Sequence, residues 1–372
     1  MVYIAQGLKR DRVLKLLVIS KHQYYYKPKV GKRGRKKTSE TKQVSPDGKV
    51  ECKNNEVVDQ IKAIQDNPDT DYGYRKMTYQ LRILGFMINH KKVYRLMKTA
   101  LLLKAKHKGS DKQYAQFRTV NPASPLEVFE MDIKQIWIAK DRRYAYILTV
   151  LDTFTRATLH WSIGFHMKKN QVKTAWEEVI INHLQPADLL SKGVHIELRN
   201  DNGPQFGANE IREFFEENYI NQVFTHPYTP QENGHVESFH KILNDAVRKQ
   251  IFWSMEELEN RLKTFYQVYN NKRLHASIAY LWPMKFWELW DAGKITRVEK
   301  EKKKVKFTLN IPYQQISGNG NLREVSSCSN LTPPDAGENL PKSEVNGLKP
   351  VDEPNTPNFT TSVQRSPSVV SC

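Results

Sequence analysis

Three carboxylates stand out by where the sequence puts them. Asp132 falls in the middle of a strand-like run, VFEMDIKQIWI, where a charge is costly unless it faces a site or a partner. Asp201 follows a similar run in ELRNDNGPQF, at the mouth of a turn, and Glu237 falls early in a helical stretch after the loop HPYTPQENGH. Carboxylates on strand ends and a nearby helix are the hard oxygen ligands that Mg2+ or Mn2+ requires. Each acid also has a plainer explanation. Asp-Asn-Gly is a common turn sequence, Asp132 alone is a polar residue at a strand edge, and Glu237 alone is a helix-surface glutamate.

The surrounding pattern predicts the elements that would position them. VFEMDIKQIWI, YAYILTVLDTFT and ATLHWSIGF are rich in Ile, Val, Thr and aromatics and predict three strands. A helix with Val172, Trp176, Val179 and Ile180 inward follows. HIELR is a fourth strand, NEIREFFEEN a helix and NQVFTH a fifth strand, and two long helices run over about 233–250 and 255–271. Strands joined by short turns, then helices alternating with strands, imply an α/β layered domain with a mixed sheet covered by helices. Trp137, Trp161 and Trp176 are expected in its core.

Ahead of this domain the period is helical. Val57, Val58, Ile61 and Ile64 form one stripe, and Met77, Leu81 and Leu84 form a second that ends at Gly85. Asn89 caps a third helix, with Val93, Leu96 and Met97 inward and Lys91, Arg95 and Lys98 outward. This helix-turn-helix presents a basic face suited to phosphate contact or the major groove; the alternative is the solvated face of a three-helix bundle. Residues 27–50 have no hydrophobic period, carry Lys32, Arg33, Arg35, Lys36 and Lys37 within six positions, and read as a flexible basic linker. Before it, Val13, Leu14, Leu16 and Leu17 line a short helix. The expected organisation is a basic segment over 1–50, an all-α domain over 51–110, an α/β domain over 122–292 opened by the loop NPASP, and a tail over 293–372. That tail holds one strand and is disordered after 315.

Charge follows the same division. The 372 residues carry 58 Lys and Arg against 40 Asp and Glu, and residues 1–120 alone hold 28 against 10, so the whole +18 sits in the first third. A polyanion-binding front end joined to a neutral body has this distribution. No apolar run approaches the roughly 20 residues that span a bilayer, and no signal peptide is recognisable, so a cytoplasmic location is expected. Three scattered cysteines exclude a disulfide frame or zinc knuckle.

Taken together, the acids resemble the DDE signature of transposases and retroviral-type integrases, with 35 residues between Asp201 and Glu237. RNDNGPQF, HPYTPQENGHVESFHKIL and YNNKRLHASIAYLWPMKFW are similar to stretches of bacterial insertion-sequence transposases of the OrfB, integrase-core type. YGYRKMTYQLRILGFMINHKKVYRLMK resembles the helical DNA-binding domain that precedes that core, and the resemblance spans about 56–290. It implies a ribonuclease-H-like fold with a mixed five-stranded sheet, and Asp132, Asp201 and Glu237 as catalytic metal ligands. Two Mg2+ or Mn2+ ions, about 4 Å apart, would bridge the scissile phosphate. The implied activity is DNA end cleavage and strand transfer by a DNA 3′-hydroxyl. The implied partners are element ends and target duplex, further copies of the chain, and an upstream-frame OrfA product, separate or fused, in the bacterial nucleoid. A non-catalytic DNA-binding relative and a metal-dependent nuclease of the same fold are the alternatives.

The sequence departs from the family at several positions. Asn244 stands where Lys or Arg commonly follows the glutamate by seven residues; Lys241 and Arg248 lie on about the same helix face as Glu237 and are candidate substitutes. Asn200 replaces a usual serine, and Phe129 a frequent tryptophan. His226, His235, Arg273 and His275 are each read either as packing residues or as DNA contacts.

Overall fold

In the computed structural model, which describes residues 2–27, 37–45, 48–70, 72–104, 120–226, 230–300 and 304–316, three short helices come first. They are α1 (Val2–Ala5), α2 (Arg10–Leu16) and α3 (Lys21–Tyr25), and the strands β1 (Glu40–Ser45) and β2 (Gly48–Lys53) follow. Then come α4 (Asn54–Asp66), α5 (Tyr74–Ile83) and α6 (His90–Thr99). The α/β part contains β3 (Val128–Ile138), β4 (Arg143–Asp152), β5 (Thr158–Gly164), α7 (Lys169–Val179), β6 (Ile196–Asn200), α8 (Asn209–Glu217) and β7 (Ile220–Phe224). It continues through α9 (Gly234–Val247), α10 (Met255–Asn271) and α11 (Pro283–Asp291) to the strands β8 (Ile295–Lys300) and β9 (Lys304–Leu309).

The expected mixed five-stranded sheet is present, in the order β5-β4-β3-β6-β7. Short turns make β3, β4 and β5 antiparallel neighbours. Passage through α7 and then α8 returns β6 and β7 parallel to β3, as crossover connections require. Alternation along β3 sorts its side chains between two layers. Phe129 and Met131 pack under α7 and α8 with Trp176 and Phe215, whereas Ile136 and Ile138 pack under α9 and α10 with Phe239, Leu243 and Phe265. The even-numbered acids of β3 therefore face α9.

Trp176 is buried as expected, and Trp161 stacks on Tyr266 at 4.7 Å. Trp137 departs from the expectation: it is 46% exposed, pairing edge-on with Tyr144 near the open tip of the β3–β4 hairpin.

The helical stripes pack as predicted, except that α5 ends at Ile83 and Leu84, its C-cap, is exposed. Gly85 makes that turn at φ +93°, and its missing Cβ leaves room for the carbonyl of Val44. Asn89 caps α6 by accepting from the backbone N–H of Lys92 at 2.9 Å. The core of α4–α6 also takes in Leu274, Leu281, Phe286 and Leu289 from the later chain. Tyr72 fastens the two parts, its hydroxyl accepting from Leu274 N (2.9 Å), and Arg261 holds Asp69 at 2.7 Å.

Two expectations are corrected. β1 and β2 pair antiparallel where a flexible linker was expected: Thr41 and Cys52 face each other, both buried, and β1 is anchored through Val44 N to Gly85 O (2.9 Å) and Met87 N to Lys42 O (2.8 Å). The inward residues of this pair are Thr and Cys, which give no hydrophobic period. The segment after 293 holds two paired strands rather than one. Lys32, Arg33, Arg35 and Lys36, and the disorder expected in the tail beyond 316, lie outside the described residues. Among the described residues no helix is long and apolar enough to cross a membrane.

Candidate active site

Asp132 lies on β3, opposite Thr149 of β4, with its side chain 25% exposed. One carboxylate oxygen accepts from the backbone N–H of Ile133 at 2.7 Å, and the other faces Nδ1 of His240, on α9, at 3.1 Å. Asp201 follows the last residue of β6 and accepts from the backbone N–H of Gly203 at 3.1 Å, the Asx-type turn that Asp-Asn-Gly favours. Glu237 occupies the first turn of α9, where the helix dipole favours negative charge.

Asp201 and Glu237 both feel the charge of Asp132. Asp201 titrates above the ordinary carboxylate value, chiefly because protein crowds water from its carboxyl; the charge of Asp132 adds to this and the Gly203 N–H opposes it. Glu237 is raised for the same first reason, then by Asp132 and Glu130, with His240 opposing. Carboxylate oxygens are in their chemistry the hard donors a divalent cation takes. Among the described residues, however, no three His, Cys, Asp or Glu side chains stand close enough to hold one ion together.

The sign of these shifts gives a test. A carboxyl raised in the folded state stabilises the fold only at pH below its unfolded value, and that contribution is lost as pH rises through the folded value. Without divalent ions, Asp201→Asn and Glu237→Gln should therefore melt above the parent at pH 7, with the gap closing below about pH 4. A midpoint lowered at neutral pH would contradict the raised titration of these carboxyls.

Glu130 is a residue the sequence reasoning missed. It lies two positions before Asp132 on the same face of β3 and is fully buried. Its carboxylate accepts from the backbone N–H of His235 and of Val236, both at 2.8 Å, and pairs with His235 Nδ1 at 2.6 Å. Arg156 adds an electrostatic partner. The strand carrying Asp132 is thereby clamped to the first turn of the helix carrying Glu237. The available signal was a second charge in an apolar strand at the same parity as Asp132. His240, three residues after Glu237, was missed as well.

The other candidates separate. His235 is held by Glu130, and His226 pairs with Glu232 at 3.0 Å. Arg273 and His275 lie against the α4–α6 side, Arg273 donating to the carbonyl of Asp69 and His275 packing its ring 4.8 Å from Tyr269. On α6, Lys91 and Lys98 are exposed and Arg95 is half-buried; Lys37 is exposed. Lys241 is exposed one turn beyond Glu237. Arg248 shares that face but lies three turns on, about 16 Å along the axis, with Asp245 at 3.8 Å.

Family models agree with this layout. One described as an integrase core domain matches residues 122–230, a second of the same description matches 218–283, and an HTH-like domain matches 53–109. The chain is similar to the insertion element IS476 uncharacterized 39.2 kDa protein of Xanthomonas euvesicatoria, at 26% identity over 58% of this chain and 60% of that protein. It is also similar to the transposase for insertion sequence element IS904 of Lactococcus lactis, at 24% identity over 61% of this chain and 92% of the relative. The chain thus spans less than two thirds of the Xanthomonas relative's length. Among solved structures, the HTLV-2 integrase catalytic core domain in complex with magnesium aligns at 19% identity and a TM-score of 0.30, covering 41% of this chain and 90% of that one. That likeness is too loose to bear on the site.

Proposed function

We propose that the chain is an insertion-sequence transposase with an integrase core, like the relatives it is similar to, and that it cleaves the ends of a mobile DNA element and joins them to a target duplex. Asp132, Asp201 and Glu237 form its catalytic centre. The observation that carries this is electrostatic: Asp201, in the turn after β6, and Glu237, at the start of α9, both titrate above the ordinary carboxylate value, first because burial removes water and then because each feels the charge of Asp132 on β3. A fold gathers like charges at a common point when a cation or a reacting proton is to be held there.

Asp132, Asp201 and Glu237 are the residues that would hold divalent cations, Mg2+ or Mn2+. The chemistry supplied when these are bound is polarisation of the phosphoryl oxygens and activation of a water or DNA 3′-hydroxyl. The protein's own task is orientation. The Ile133 N–H and His240 fix the two oxygens of Asp132, the Gly203 N–H fixes Asp201, and the clamp through Glu130 fixes the turn bearing Glu237. Lys91, Arg95 and Lys98 of α6, with Lys37, the basic run at 32–36 and Lys241, hold the DNA backbone. Two ends must be brought to one target, so more than one copy of the chain acts together on the DNA.

The direct test is joining of duplex oligonucleotides copying the element's ends to a target duplex, with and without Mg2+. Joining only with Mg2+ is expected; equal joining in EDTA would remove the assignment. A further expectation is that duplex binding by the full chain falls steeply with salt, because each neutralised phosphate releases counterions. A flat profile would mean that the basic third serves something else.

A further inference from the structure

Helix α9 starts beside Glu130 and Asp132 and runs in the same sense as β3, since Phe252, just past its C-terminus, forms a parallel bridge with Ile138. The far end of this pair forms a second surface, away from the acids. There the carbonyls of Phe252 and Trp253 accept from the backbone N–H groups of Ala139 (2.9 Å) and Lys140 (3.0 Å), fixing the β3–β4 turn against the loop that follows α9. Lys140 and Arg142 stand exposed on the turn, Arg143 at the start of β4, and Arg248 and Lys249 on the loop; the acids beside them are Asp141, Asp245 and Glu257, whose carboxylate accepts from the backbone N–H of Trp253 at 2.8 Å. Phe252 is anchored at 3% exposure, so its neighbours Ile251 (83%) and Trp253 (64%) are held outward in water.

An anchored loop that keeps an indole exposed between cations has the composition that phosphates and base or sugar faces recognise together. The net charge of these segments favours a polyanion over a second copy of a chain whose own excess is positive. The distance fits as well. Lys140 lies eight residues beyond Asp132, the last two in the turn past β3, at most about 26 Å away at strand spacing, the rise of about eight base pairs.

We propose that this cation-rimmed ridge is a second DNA contact. It grips duplex backbone about eight base pairs beyond the phosphate at the acids, with Trp253 and Ile251 lying against the sugars. This rests on the reading of the chain as a DNA-processing enzyme, and the test separates the two.

The full chain is titrated with a 40-base-pair duplex of arbitrary sequence over a range of NaCl concentrations, and its oligomeric state without DNA is measured alongside. For the double variant Arg142→Ala/Lys249→Ala the expected result is binding about tenfold or more weaker, with a log–log salt slope shallower by about 1.8, two phosphates' worth. Arg142→Lys/Lys249→Arg, which keeps both charges, should match the parent. Affinity and slope unchanged in the double alanine variant would overturn the proposal while leaving the catalytic reading intact. A smaller assembly at unchanged DNA affinity would mark the ridge as a contact between copies and overturn it equally. No duplex binding by the parent would overturn both readings.

Discussion

Asp201→Asn is expected to reduce strand transfer by about three orders of magnitude or more while leaving duplex binding intact. Stabilisation of a phosphoryl transition state by bound cations amounts to several kcal/mol, and each 1.36 kcal/mol is a factor of ten in rate. Of the three acids, Asp201 gives the cleanest experiment, because its carboxylate contact is local. The side-chain oxygen accepts from Gly203 N at 3.1 Å, and an asparagine oxygen accepts the same bond, so the turn survives and only the charge is lost. Asp132→Asn would also disturb His240, which faces the second oxygen of Asp132 at 3.1 Å. Joining and equilibrium binding should be measured on the same preparation with Mg2+. Joining within tenfold of the parent would sink the catalytic assignment. Joint loss of joining and binding would instead assign Asp201 to holding DNA.

Periodicity made the sheet legible. The strand around Asp132, the fourth strand ahead of Asp201 and the helix carrying Glu237 all lie where alternation and the helical period place them, because each buries one apolar face. The β1–β2 pairing was hidden because its inward residues, Thr41 and Cys52, lend no hydrophobic alternation, and its anchor is backbone hydrogen bonding to a turn some forty residues away. The sharing of one core between α4–α6 and residues 274–316 is a tertiary fact with no local signature. At the site, Asp132 was found by asking why a charge sits in a strand. The same question asked of Glu130 would have pointed to the clamp, but only the structure shows which helix it holds.

Glu130→Ala is expected to be among the most damaging single substitutions in the chain. It removes the acceptor of two backbone N–H groups and the partner of the His235 ring at a point with no access to water. Breaking one side of such a buried pair costs about 3–5 kcal/mol, against a total stability of about 5–15 kcal/mol. Glu130→Gln keeps the shape and one oxygen for both backbone N–H groups but replaces the oxygen facing His235 Nδ1 with an amide NH2, so a smaller loss of about 1–3 kcal/mol is expected, measured by urea unfolding. That milder variant also separates positioning from mere support. If the clamp sets the place of Glu237, Glu130→Gln assayed well below its unfolding midpoint should need more Mg2+ for half-maximal joining than the parent. Loss of folded protein alone would lower the maximal rate and leave that concentration unchanged. A Mg2+ requirement equal to the parent's would reduce Glu130 to a stabilising residue and leave the orientation of Glu237 to the helix itself.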